Sequence, residues 1–236
     1  MRMVILTATI GHAKTEECIA SWGTCNTIGS ELPPLLMISG RQGMMEAYQR
    51  AYKDSVDFDV LGYIHDDVLI GEENWHERVL KEFEDENVGV VGFGGAVVHG
   101  SANIYKVPYN LQQLGRSGYL SNVDDAEVHG QRFNGACDVA VLDGFALFIR
   151  RELLDKTEGW PLGTPLGYSL YDYWLCCMAH RHGYRIRLAG VRCHHLGGMT
   201  SVGMKVIETD GMAHVVAHRY VYDTFRDVLP WTAGQK

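Results

Sequence analysis

The chain contains no run of about 18 apolar residues, so no segment reads as a membrane-spanning helix. It contains no C-x-x-C pair. Its six cysteines are Cys18, Cys25, Cys137, Cys176, Cys177 and Cys193, and the adjacent pair at 176–177 is awkward for simple disulfides. Reduced thiols are expected. The opening MRMVILTATIGHAKTEE turns polar too soon to hold the apolar core and cleavage site of a signal peptide, so a cytoplasmic location is expected. Positive charge is scarce. There are 21 Lys and Arg against 29 Asp and Glu, a formal net charge of −8. That balance disfavours a nucleic-acid coat or a basic membrane-surface patch, though not a small basic cleft. Internal repeats and low-complexity tracts are missing too. What remains is ordinary globular composition, 46 % hydrophobic and 21 % charged, in 236 residues. That length suits one large α/β domain or two small ones.

Hydrophobic pattern divides the first 93 residues into alternating elements. MVILTAT at 3–9 reads as a buried strand. A helix follows at 15–22, with Thr15 placed to cap it. PLLMISG supplies a strand near 35–39, ended by Gly40. Apolar residues at 44, 47, 48, 51 and 52 have helical spacing. DVLGYIHDD is a third strand, Trp75, Val79, Leu80 and Phe83 mark a helix, and VGVVGF at 88–93 is a fourth strand. Short, nearly continuous apolar runs are what parallel strands covered on both faces require. The pattern predicts an open, doubly wound, mostly parallel α/β sheet, with ligands beyond the carboxyl ends of its strands.

Residues 94–136 carry no sustained period and read as one long loop. Order returns in DVAVLDGFALFIRREL, two apolar runs around Asp143-Gly144 with a helix from Arg151. On local grounds the Asp-Gly pair is a hairpin turn. SLYDYWLCCMAHRHG is a helix with Ser169 at its N-cap, Asp172 completing a capping box, and Gly183 as its stop. YRIRLAGVRCHHLGG reads as a late strand ending in His194-His195, and MAHVVAHRYVYDTFRDVLP as a final helix stopped by Pro230.

Four groups of residues have chemistry to offer. His65, Asp66 and Asp67 follow a buried strand directly. Adjacent carboxylates repel, and burial worsens the conflict unless a cation offsets it. Strand alternation would send His65 and Asp67 one way and Asp66 the other. Mg²⁺ or Mn²⁺ suits such a site, while a polar turn with an Asp capping the next helix is the plainer explanation. His194-His195 before two glycines would bring an imidazole to the same rim, or would be a surface pair. Asp172 in a helix's first turn suits a general base as well as a cap. Asp143-Gly144 suits close approach of a ligand to backbone. Arg150 and Arg151 would meet phosphate or open a solvated helix.

The order of these pieces resembles a family-2-type glycosyltransferase of the GT-A fold, in particular the compact StrF-like branch. The matching stretches are EAYQRAYKDSVDFDVLGYIHDDVLI, VGVVGFGG, VAVLDGFALFIRREL, YSLYDYWLCCMAHRHGYRIRL and VRCHHLGG, from about residue 44 to 200. The resemblance implies a single GT-A domain with a C-terminal helix: a nucleotide-binding half at 1–93, an acceptor and metal half at 94–200, and a helical tail at 201–236. It implies a metal-dependent, inverting hexosyl transfer from a nucleotide-sugar, usually a UDP-sugar, with Mn²⁺ or Mg²⁺. It places Asp67 and either His194 or His195 as metal ligands, His195 beginning an H-x-G-G pattern. It places Asp172 as catalytic base, and Thr7, Thr9, Gly40, His65, Asp66, Asp143 and Gly144 around the donor.

The sequence departs from that pattern in several places. His65 holds a slot commonly Asp, and Tyr171-Asp172 one commonly Glu-Asp. Gln49 stands where relatives often carry Asn. Strand two ends in Ser39-Gly40, where an acidic residue usually reads the base. The acceptor is left open among a glycan, a small metabolite, a protein and a hydroxylated DNA base. The alternative is a non-catalytic nucleotide-sugar-binding module of the same fold. A nucleotidyltransferase lacks its Gly-rich, basic loop after strand one. Trp160, Trp174, Tyr168 and Tyr171 would stack on a sugar or base, or build core.

Overall fold

The structure, a computed structural model, describes residues 1–24, 32–100, 119–122, 131–197 and 210–234. Its first half alternates as the apolar runs require: β1 (Met3–Thr9), α1 (Thr15–Thr24), β2 (Leu35–Ser39), α2 (Met44–Asp54), β3 (Val60–Ile64), β4 (Val68–Ile70), α3 (Trp75–Glu82) and β5 (Val88–Gly92). Short strands follow: β6 (Gly94–Ala96), β7 (Val98–His99), β8 (Tyr119–Ser121), β9 (Gln131–Arg132), β10 (Ala136–Asp138) and β11 (Val141–Leu142). The remainder is β12 (Ala146–Arg150), α4 (Arg151–Asp155), α5 (Tyr171–Arg181), β13 (Arg185–Ala189), β14 (Cys193–His195), α6 (Asp210–Thr224) and β15 (Trp231–Thr232).

Seven strands form the central sheet in the order β10-β13-β5-β12-β3-β1-β2. β1, β2, β3, β5 and β13 run one way, and β12 and β10 run against them. β12 therefore enters the sheet where β3 leaves it, Ala146 pairing with Ile64. Side chains alternate across the sheet. Val4 and Leu6 of β1 join a core with α2 and α5, while Met3 and Ile5 join Trp22, Trp75, Val79 and Phe83 on the other face. Both faces are thus sealed by helices. Gly62 in β3 leaves room for the Phe148 ring, whose nearest carbon would lie 2.7 Å from an added Cβ.

Several boundaries differ from the sequence reading. β3 stops at Ile64, so residues 65–67 form the turn into β4 rather than strand. Among the described residues, the stretch read as one long loop holds β6, β7, β8 and β9. Asp143-Gly144 is no hairpin: β11 pairs with β6 and β12 with β3 and β5, so the turn joins two sheets. The late strand is two strands. Gly190 breaks it where the backbone of Phe133 and Gly135 presses too close for any side chain, and β14 then pairs with β4. Helix α5 starts at Tyr171, capped by Leu170 at φ 62° with no side-chain cap, so Ser169 is not its cap. Gly183, at φ +76°, follows its end as expected. Thr15 opens α1 as its first residue, its hydroxyl accepting from the His12 N–H. α6 ends at Thr224, short of Pro230.

Arg150 and Arg151 are structural. Arg150 is buried and donates to the carbonyls of Val88, Phe83 and Asp85. Arg151 donates to Phe58 and Ser55. Cys18, Cys137, Cys176, Cys177 and Cys193 are free thiols. No helix among the described residues is long and apolar enough to cross a membrane.

Candidate active site

The parallel pairing of β1 with β3 puts Thr9 and the 65–67 turn on one rim of the sheet. The antiparallel entry of β12 adds Asp143, Gly144 and Phe145 to the same rim. Backbone bonds hold the turn: His65 N–H donates to Phe145 O at 2.9 Å, and Leu196 N–H to Asp67 O at 3.0 Å. The second bond brings β14 beside it.

The two carboxylates avoid each other by turning apart. Asp66, 4 % exposed, accepts hydrogen bonds from the hydroxyls of Thr9 and Thr15. The His12 ring lies 3.1 Å from its carbonyl oxygen. Asp66 thus ties down the loop between β1 and α1. Asp67 turns the other way. It joins His65 and His195 in a group whose ligand-type atoms all lie within 4.8 Å of one another. His195 Nε2 stands 3.3 Å from Asp67 Oδ1. That contact lacks hydrogen-bond alignment, and Oδ1 is a buried oxygen with no hydrogen-bond partner. Phe145 stacks on the His195 ring at 4.9 Å. Burial pushes the Asp67 carboxyl up, but the contact with His195 and the charges of both imidazoles outweigh it and hold it below its ordinary value. Burial, helped by His195, pushes His65 down.

The donor set fits a divalent cation of the borderline class. It offers one carboxylate and two imidazoles, and Asp67 Oδ1 is a buried oxygen left for such a ligand. His194 is outside this group, as strand alternation sends its side chain away from that of His195.

Beside the group lies a cavity of about 330 Å³, lined by His65, Asp143, Tyr168, Asp172, Tyr173 and His218 among others. Asp172 Oδ2 accepts from Gly144 N–H at 3.1 Å and Oδ1 from Tyr173 N–H at 2.9 Å. Burial first, and the neighbouring Asp143 charge second, push its carboxyl up to about 7 against these two bonds. Asp143 accepts from the Tyr119 hydroxyl at 3.0 Å. Of the four aromatic candidates only Tyr168 is exposed, at 42 %; Trp160, Trp174 and Tyr171 are core. Thr7 is buried with an unpartnered hydroxyl, and Gly40 opens a short 3-10 turn after β2. Gln49 bridges away from the cavity, to Trp160 N–H and Glu158 O.

The profile of a family described as "Glycosyltransferase like family" matches residues 7–199, which contain every one of these groups except His218. The chain belongs to this glycosyltransferase-like family. The GT-A fold is shared with solved glycosyltransferases at low identity. One is GalNAc-T7, solved with UDP, GalNAc and Mn²⁺: TM-score 0.57, 10 % identity, covering 83 % of this chain and 44 % of that one. Another is the mannosyltransferase PcManGT from Pyrobaculum calidifontis, solved with GDP-Man and Mn²⁺: TM-score 0.54, 15 % identity, covering 96 % and 64 %. The chain thus spans under two thirds of either structure's length. A comparison with curated protein sequences finds no match.

Sequence reasoning missed His12 and Thr15 as clasps of Asp66, Phe145 under His195, and Tyr119 on Asp143. A threonine and histidine after a first strand carry no local signal, and Tyr119 lay in the stretch without period.

Proposed function

We propose that this glycosyltransferase is metal-dependent and inverting, and takes a nucleoside-diphosphate sugar, of which a UDP-sugar is the preferred reading. What supports it is the His65–Asp67–His195 group, whose His65 lines the same cavity as a carboxylate held near 7. The two structural relatives, solved with Mn²⁺ and a nucleotide or nucleotide-sugar, are in line with its metal and its nucleotide-sugar donor. Asp67 and His195 would hold Mn²⁺ or Mg²⁺, with His65 as third ligand. Bound there, the cation would neutralise charge developing on the leaving diphosphate.

Asp172 accepts the proton of an acceptor hydroxyl as that oxygen attacks the anomeric carbon. The bond from that carbon to the diphosphate oxygen breaks on the opposite face, and the proton stays on Asp172. A carboxyl near 7 is suited to this, being ionised enough to accept and basic enough to pull. Gly144 and Tyr173 hold both its oxygens in place. Thr7, Thr9, Gly40, Asp143 and Gly144 lie on the donor side. Asp66 acts there through the loop it anchors. Tyr168 offers an exposed ring to the acceptor. We read the chain as one unit, because the central sheet takes strands from both 1–93 and 94–200.

Thermal shift with a panel of UDP- and GDP-sugars, with and without Mn²⁺, tests the reading. Ligand at 100 times its Kd stabilises by about 2.7 kcal/mol, roughly 5–10 °C for a chain this size. The expected result is a Mn²⁺-dependent rise for one nucleotide, absent in Asp67→Asn. No shift with any nucleotide would overturn the reading. Anomeric NMR of the product then reports inversion.

A further inference from the structure

We propose that Tyr171 is a positioning residue which decides the nitrogen that His65 offers to the cation. The inference rests on the metal reading above and deepens it. The Tyr171 hydroxyl oxygen lies 2.9 Å from the Gly144 carbonyl oxygen and 2.7 Å from His65 Nε2. A phenol carries one proton and accepts through its oxygen lone pairs. The carbonyl can only accept, so the first contact uses that proton. The second contact then needs a proton on Nε2, because a bare nitrogen would face the phenol oxygen lone pair to lone pair. The Tyr48 hydroxyl is a third neighbour, and a bond between the two phenols leaves no second Tyr171 proton for Nε2. A ligating His65 is therefore protonated at Nε2. The lone pair left for a cation beside Asp67 and His195 is then that of Nδ1.

The hydroxyl has little freedom to do otherwise. The Tyr171 ring is 4 % exposed, edge-on to Tyr48 at 5.8 Å and 6.0 Å from Trp160. Gly144 carries no Cβ where one would collide with that hydroxyl. The same Gly144 gives its N–H to Asp172. A single hydroxyl thus fixes the imidazole on one side of the cavity and the turn that holds the carboxylate on the other. Two of the positions where the sequence departs from the pattern it resembles, His65 and Tyr171, are bonded to each other. Partners that orient a ligating imidazole change metal affinity about 10–100-fold when removed.

The test uses the wild-type chain, Tyr171→Phe and Asp67→Asn. Two-bond ¹⁵N–¹H NMR on the metal-free protein reads each imidazole tautomer, with His65→Gln assigning the signal. Mn²⁺ titration followed by electron paramagnetic resonance reads affinity. The expected results are an Nε2–H signal for His65, its loss or mixing in Tyr171→Phe, and Mn²⁺ binding weakened about 10–100-fold in that variant. An Nδ1–H signal in the wild type would overturn the proposal without need of any variant. So would Mn²⁺ affinity in folded Tyr171→Phe within twofold of wild type. Should wild type and Asp67→Asn bind Mn²⁺ equally poorly, the metal reading itself fails and takes the proposal with it. That case is told apart because Tyr171→Phe is then compared with a protein that binds no metal.

Discussion

At the scale of single residues, Asp172 couples reactivity to instability. Its carboxyl is raised to about 7 by burial and by Asp143, so the folded chain holds a proton that the unfolded chain would release near 3.8. As the proposed base, Asp172 would act in its ionised form. The transfer rate at saturating donor should fall as pH drops below about 7, and Asp172→Asn should lower kcat about 10²–10⁴-fold at little change in donor KM. A pH–rate profile and steady-state kinetics check both. Stability has the opposite sign. A raised carboxyl favours the fold below 3.8, and that benefit is lost as pH rises through about 7. Asp172→Asn should therefore melt at a higher temperature than wild type at pH 8, with the gap closing towards pH 5. Calorimetry at the two pH values decides it. A variant that is less active yet more stable is the mark of a partly buried working carboxylate.

At the scale of elements, β3 and β12 show how tightly the rim is supported. Phe148 fills the space left by Gly62 and touches Trp75 and Phe93, at ring separations of 5.7 and 5.1 Å. The ring has nowhere to retreat. Gly62→Ala should destabilise the chain by about 1–3 kcal/mol through overpacking. Phe148→Leu in the Gly62→Ala background should recover part of that loss, since the two sites share one space. Urea unfolding of the single and double variants gives the coupling. Loosening this contact also loosens the exit of β3, the turn that carries Asp66 and Asp67. Nucleotide-dependent melting shifts should shrink along with stability.

At the scale of the whole molecule, buried histidines set the acid limit. Burial lowers His99 to about 3 and His180 to about 4. Each protonates near 6.5 in the unfolded chain, so stability is complete above that value and is lost as pH falls below it. Between about pH 6 and 4, each costs roughly 1.4 kcal/mol per pH unit. Asp172 works against this with the opposite slope and offsets one of the two histidines, while His65 and His76, lowered by burial too, add to the loss. The melting temperature should fall steadily from pH 6.5 to 4. His99→Gln should flatten the fall.

The sequence by itself determined the alternation of helices and strands in the first 93 residues, because a buried sheet demands short apolar runs and that demand is local. It determined the family too, through motif order, and it brought Asp67, Asp172 and the late histidines into view. It could not choose between neighbours. His194 and His195 are alike in composition and context; their difference is the register of β14 on β4. Asp66 and Asp67 part because Thr9 and Thr15, more than 50 residues earlier, capture one of them. Tyr171 and His65 look like two separate oddities until the antiparallel entry of β12 and the start of α5 bring them within 2.7 Å. Only tertiary structure decided these things, because a side chain's direction at a strand's end is set by distant partners, and distant partners leave no local period.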